Sequence, residues 1–135
     1  MVKDWPQYNQ INLNGTTVGL AGVQEALNTG DKLAEWKRDL YNFLKEWLNT
    51  DQAYIVSYTS GSTGTPKAIN IPKQRMLVSA AKTIKFLNLK PGSTALLALS
   101  CAHIAGKMMV VRALLGGFDL ITVEPNNNPL ELLDQ

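Results

Sequence analysis

The residues best suited to chemistry lie together in Tyr58-Thr59-Ser60-Gly61-Ser62-Thr63-Gly64-Thr65-Pro66-Lys67. Gly61 and Gly64 free the backbone to turn and to approach a ligand closely, and consecutive N–H groups in such a turn form a concavity that suits an anion. The hydroxyls of Thr59, Ser60, Ser62 and Thr63 add donors for non-bridging phosphate oxygens, and Lys67 closes the segment with a positive charge. Together these are the parts of a polyphosphate cradle, in which the lysine can offset charge on a leaving pyrophosphate. The competing reading of Ser/Thr/Gly composition is a plain flexible surface turn.

Two commoner nucleotide loops are excluded by order. A Walker loop needs Gly-Lys-Ser/Thr at its end, whereas here Pro66 precedes Lys67 and Ala68 follows it. No Gly-x-Gly-x-x-Gly fingerprint occurs, which argues against a dinucleotide fold. The segment also joins two strand-like stretches, so side-chain hydroxyls carry more of the phosphate contact than they would at a helix N-terminus.

The elements that must hold this loop read as follows. Ala53 to Thr59 is β-branched and aromatic, and Lys67 to Ile71 is a second short strand. Pro72 suits the first turn of a helix running to about Asn88, with Met76, Ala80, Ile84 and Leu87 on one face. Thr94 to Leu99 reads as a buried strand, Ala105 to Leu115 as an apolar helix stopped by Gly116-Gly117, and Leu120 to Val123 as another strand. This alternation predicts an α/β fold, a mostly parallel sheet flanked by helices.

Before it, Ile11 to Gly15 reads as a short strand closed by an Asn-Gly turn, and Leu20 to Leu27 as a brief helix. From Asp31, placed as an N-cap or first-turn residue, Leu33, Trp36, Leu40, Phe43, Leu44 and Trp47 recur at helical spacing to near Asn49. Such a stripe is a packing face more often than a ligand-stacking one, and it could also dock a partner or a further domain. The organisation expected is a helical segment over 1–50 and an α/β phosphate-loop region over 51–135.

Composition bounds the function classes. The chain has 135 residues, 45% of them apolar and 18% charged, which fits an ordinary globular domain with a sizeable core. Its apolar stretch from Thr94 to Val123 is interrupted by His103, Lys107, Arg112 and Asp119, so no membrane span is expected. The N-terminus shows no secretory pattern, which makes the cytoplasm the default location. Cys101 has no cysteine partner for a disulfide and, with His103 the one histidine, no metal set, so structural zinc is excluded and no metal site is expected. A net charge of +2 without dense basic runs names no nucleic-acid partner.

Tyr58 to Lys67 resembles, throughout its length, the signature phosphate-binding loop of the adenylate-forming enzymes: acyl-CoA synthetases, luciferases and peptide-synthetase adenylation domains. The resemblance covers Ala53 to Leu130 well and the first fifty residues weakly. It implies ATP, a carboxylic acid and CoA as reactants with Mg2+ assisting, acyl-adenylate and then thioester formation, and contacts to the β- and γ-phosphates from Thr59, Ser60, Gly61, Ser62, Thr63, Gly64 and Lys67. His103 with Gly106 falls where the family carries a His-x-x-Gly element, which implies an acyl-pocket or adenylate position for His103; by itself a lone histidine in an apolar stretch is more often a core residue. Arg112 could pair with a substrate carboxylate or simply lie on a helix surface.

His103 to Leu114, Val123-Glu124-Pro125 and Asn128-Pro129-Leu130 further resemble the o-succinylbenzoate-CoA ligases of menaquinone synthesis. The family's Tyr-Gly-x-Thr-Glu and Thr-Gly-Asp elements, which serve magnesium and ribose, do not occur, nor does its C-terminal domain with the adenylation lysine. The apolar residues Leu130, Leu132 and Leu133 near the end of the chain also look unfinished. These departures imply the N-terminal part of a ligase, with the rest of its own polypeptide as its first partner and little activity alone, and a homo-oligomer stays open. A ligase for another acid and a non-catalytic phosphate-binding or interaction module are the alternatives.

Overall fold

In the computed structural model the described residues are 3–29, 32–59 and 64–125. Ser60, Gly61, Ser62 and Thr63 of the candidate loop, Asp31, and Asn128 to Leu130 lie outside them.

A 3₁₀ turn, Trp5–Gln7, leads into β1 (Ile11–Leu13) and β2 (Thr16–Val18), an antiparallel pair. Asn14 and Gly15 join them with φ of 51° and 85°, the two positive values that a type I′ turn needs and that Asn-Gly supplies at least cost. There follow α1 (Leu20–Asn28), α2 (Glu35–Leu48), β3 (Tyr54–Thr59), β4 (Lys67–Pro72), α3 (Lys73–Leu87), β5 (Thr94–Leu97), α4 (Ile104–Gly116) and β6 (Asp119–Thr122). Helix α2 begins later than its stripe suggested, with Ala34 at the N-cap position. Likewise α3 starts at Lys73, since Pro72 is still paired with Tyr54 across the β3–β4 ladder.

The main sheet has the order β2-β1-β6-β5, parallel except for β2. The α/β architecture with a mostly parallel, helix-flanked sheet is therefore present, but its third parallel strand is β1 from the first fifty residues. Strands β3 and β4 form a separate antiparallel pair. Two physical reasons account for that separation. A connection this short can close only an antiparallel pair, and β4 is exposed along most of its length, which a strand covered by helices on both faces cannot be.

Gly117, with φ of 68°, ends α4, and Asn88, with φ of 52°, ends α3. Both adopt the left-handed conformation that lets the last helical carbonyls be satisfied. Helix α4 lies across β1, β5 and β6, α3 lies along α4, and α1 along α2. One core joins these layers: Ile11 and Leu13 of β1, Leu40, Phe43, Leu44 and Trp47 of α2, Met76, Leu77 and Ala80 of α3, and Val110, Val111 and Leu114 of α4. The α2 stripe is thus a packing face, and the Trp47 indole N–H donates to the Tyr8 carbonyl at 3.3 Å. Among the described residues, no helix is long and apolar enough to cross a membrane.

Cys101 is buried, and burial pushes its thiol up to about 12, with Lys107 pulling the other way and Asp39 adding to the rise. A raised thiol pKa means that the native state holds the proton longer than the unfolded chain, so this group's contribution to stability is full below about pH 9 and is lost as the pH rises towards 12. Thiolate is the reactive form. Native protein at pH 8.5 should resist iodoacetamide and take up one label only after denaturation; stoichiometric labelling of folded protein would refute the burial assignment.

Candidate functional site

The β3–β4 ladder fixes the ends of the loop. Register runs from Tyr54 opposite Pro72 at the base to Thr59 opposite Lys67 at the tip, so Thr59 and Lys67 face one another where the loop departs. Gly64, with φ of 83° and open space where a Cβ would lie, supplies the left-handed turn that returns the chain to β4. Lys67 is exposed at this tip. Of the sequence-derived phosphate ligands the structure therefore brings Thr59, Gly64 and Lys67 together, while Ser60, Gly61, Ser62 and Thr63 lie outside the described residues.

Beside the tip is a cleft of about 610 Å³ lined by Ser57, Tyr58, Pro66, Ile69 and Ile71 of the hairpin and by Ala102, His103 and Ile104 of the turn into α4. The walls are largely apolar, and Tyr58, Ile69 and Ile104 are exposed large side chains. His103 is exposed, so it is not a core histidine. It occupies the N-cap position of α4 in an extended conformation, its N–H donating to the Ser100 carbonyl at 3.2 Å and its carbonyl accepting the first intrahelical bond from Lys107 at 3.2 Å. The His103 side chain makes no capping hydrogen bond at this helix N-terminus, where the peptide dipoles favour negative charge.

Local sequence explains the placement of His103. Gly106 sits so close to the preceding turn that a Cβ would meet the Ser100 carbonyl oxygen at 2.2 Å and the Cys101 nitrogen at 3.0 Å. Only glycine allows α4 to begin there, which gives the His-x-x-Gly spacing a physical cause. Ser100 Oγ accepts the Ala102 N–H at 3.1 Å, and the buried Lys107 reaches the Ala102 carbonyl at 3.4 Å, so the turn is tied down on both sides. On its other side His103 borders a second cleft, with Glu35, Trp36, Asp39 and Glu124 among the lining.

Arg112 stands nine residues after His103 on α4, about 13 Å farther along the axis. It is half-buried, does not line the His103 cleft, and its Nε is buried without a hydrogen-bond partner among the described residues. The structure does not bring it to the loop.

Two contributors escape sequence reasoning. Ile69 and Ile71 share a face of β4 and floor the cleft, a period-two signal legible in the strand. Lys73 is the other: it is fully buried, its ammonium donating to the Trp47 carbonyl at 3.0 Å and the Asn49 carbonyl at 2.8 Å and lying 4.1 Å from the centre of the Trp5 ring. Burial lowers its pKa from 10.5 to about 8, opposed by nearby Glu46. Nothing in the sequence separates it from the ordinary surface lysines of the same helix.

The hairpin that carries Thr59, Gly64 and Lys67 and the N-cap residue of α4, His103, thus border one largely apolar cleft. The sequence matches the AMP-binding enzyme family over residues 7–135, and the chain belongs to that family. Bacitracin synthase 1 of Bacillus licheniformis is 42% identical over 79 residues, which covers 56% of this chain and 1% of that protein.

Among solved structures, the acyl-CoA synthetase (AMP-forming)/AMP-acid ligase II-like protein from Dyadobacter fermentans superposes with a TM-score of 0.70 at 36% identity, over 87% of this chain and 33% of that one. The inhibitor-bound N-terminal domain of FACL13 from Mycobacterium tuberculosis matches in fold, with a TM-score of 0.50 at 22% identity over 67% of this chain and 26% of that one. This chain spans about a third of the length of the Dyadobacter relative.

Proposed function

We propose that this chain supplies the phosphate-binding part of an ATP-dependent acid-CoA ligase. The observation that carries this reading is the pairing of Thr59 with Lys67, the two ends of the candidate loop, at the hairpin tip beside the His103 cleft in a chain of the AMP-binding family. The donor set fits a triphosphate: hydroxyls, glycine N–H groups and one ammonium, with room at Gly64 for close approach. No carboxylate stands between Tyr58 and Lys67, so within this loop only hydroxyl and backbone oxygens could help to hold a Mg2+ ion accompanying ATP, which would offset phosphate charge.

In the reaction proposed, a carboxylate oxygen attacks the α-phosphorus and the bond to pyrophosphate breaks, giving an acyl-adenylate. The sulfur of CoA then attacks the acyl carbon and AMP leaves, giving the thioester. The loop neutralises charge as it collects on the departing β- and γ-phosphates, with Lys67 the cationic member. The cleft walls, Tyr58, Ile69, Ile71 and Ile104, suit the apolar part of an acid, and His103 stands at its rim. ATP and CoA as reactants also make the cytoplasm the expected site of action.

The finer assignment is to o-succinylbenzoate as the acid, on the segments His103 to Leu114 and Val123 to Leu130. A carboxylate panel with ATP, Mg2+ and CoA, read as pyrophosphate release by a ligase containing this chain, tests it. Release with o-succinylbenzoate supports the assignment; release with another acid alone moves the substrate and keeps the class. One observation favours a second reading, a non-catalytic phosphate-binding module: among the described residues no acidic side chain lines the cleft beside the loop. ATP binding without pyrophosphate release under any acid would select it.

A further inference from the structure

The hairpin that carries the loop is tied down at its base by a cluster of hydrogen bonds among the described residues. Along β4, Lys67 to Asn70 are exposed, and on β3 the buried positions are Ile55 and Ser57. At the base the picture reverses. The Lys73 N–H donates to the Ala53 carbonyl at 2.9 Å, closing the ladder just below Tyr54 and Pro72. Its side chain then crosses to the carbonyls of Trp47 and Asn49, at the end of α2, on the segment that enters β3.

Above it, the Trp5 N–H donates to Gln74 Oε1 at 2.9 Å, and Gln74 Nε2 donates to the Lys3 carbonyl at 3.2 Å, strapping the N-terminal segment over the same junction. Glu46 adds one lateral tie by accepting the Val56 N–H at 3.1 Å.

Geometry makes that base a lever. Five strand steps of about 3.4 Å set the tip roughly 17 Å from the base, so a tilt of about 10° there displaces the tip by about 3 Å, a distance that separates a made phosphate contact from a lost one. We propose that Lys73 is the positioning residue of the phosphate loop: by joining the residue that leaves β4 to the carbonyls that precede β3, it sets the angle at which the hairpin presents Thr59, Gly64 and Lys67. The inference rests on reading that loop as phosphate-binding. Lys73 touches no substrate, and its N–H donors, more than its charge, do the holding.

Lys73→Met keeps the length and the buried stem while removing the donors, and Lys73→Arg restores donors. Gln74→Ala loosens the strap from the other side without touching the carbonyls. Amide hydrogen exchange of residues 64–70 and binding of inorganic tripolyphosphate and of ATP are measured on each. In Lys73→Met we expect exchange at 64–70 to rise at least tenfold more than in β1, β5 and β6, tripolyphosphate affinity to fall about tenfold, and both to recover at least in part in Lys73→Arg; Gln74→Ala should give a smaller change in the same direction.

Unchanged exchange at 64–70 in Lys73→Met, or a uniform rise across the chain, overturns the positioning role. Wild-type chain that binds neither tripolyphosphate nor ATP, while the variant's hairpin still loosens, overturns the proposal by a distinguishable route: the base is then an anchor, and the loop is not a phosphate site.

Discussion

Gly106→Ala is expected to unfold a large share of this protein. Its new Cβ would lie 2.2 Å from the Ser100 carbonyl oxygen and 2.6 Å from that residue's carbonyl carbon, and both atoms belong to backbone. A side-chain obstacle can rotate away, but this one moves only with the turn that holds Cys101 in the core and His103 at the cleft. Backbone displacement of that kind costs about 3 to 4 kcal/mol, a large fraction of a domain's stability. Urea unfolding should show a much lower midpoint, whereas Gly19→Ala, whose Cβ would meet the Asn9 carbonyl at an ordinary 3.7 Å, should change it little. Equal midpoints for the two variants would mean that α4 does not press on the Ser100 turn.

Lys67→Ala acts on chemistry instead. The position is at the tip of β4 on an exposed strand, so its loss leaves the core intact. On the proposed function, what disappears is a cation beside the β- and γ-phosphates, where negative charge accumulates as pyrophosphate departs. By analogy with other charge-stabilising donors this removes about 2 to 4 kcal/mol of transition-state stabilisation, a fall in pyrophosphate release of roughly 30- to 900-fold. The acid's KM should move little, because the loss is confined to the nucleotide. A ligase whose pyrophosphate release survives the substitution unchanged would take Lys67 out of the mechanism. The same substitution in this chain alone reports the ground-state share as ATP affinity.

The strengths and failures of the sequence reading have physical causes. Elements with strong local patterning were legible: the Asn14-Gly15 turn, the α2 stripe, and the glycine that ends α4 all declare themselves within a few residues. The parallel sheet was legible as a class, but not its membership. That β1 lies against β6 depends on which distant apolar strand fits, and Ile11 and Leu13 carry no mark of it.

At the candidate site, the loop stood out by residue type and order, whereas His103 by type alone read as a core histidine and was singled out only by the His-x-x-Gly resemblance. The reason for Gly106 became visible only with the Ser100 carbonyl in place, and Lys73 looks in sequence like any lysine on an amphipathic helix. Arg112 was suggestive in one dimension because it interrupts an apolar helix, and helical rise then carries it away from the cleft.

The strand order also sets a timetable. Asn14 Nδ2 donates to Thr122 Oγ1 across a separation of 108 residues, and β1 gains its parallel neighbour only from β6. On a ribosome adding about 5 to 20 residues per second, the first strand therefore waits some 5 to 20 s for its neighbour. Throughout that interval the β1–β2 hairpin lacks its parallel neighbour, and one edge of β1 stays unpaired. Production of this polypeptide should accordingly be sensitive to whatever shields nascent apolar strands, and shortening it from the far end past Asp119 should release the first strand together with the last.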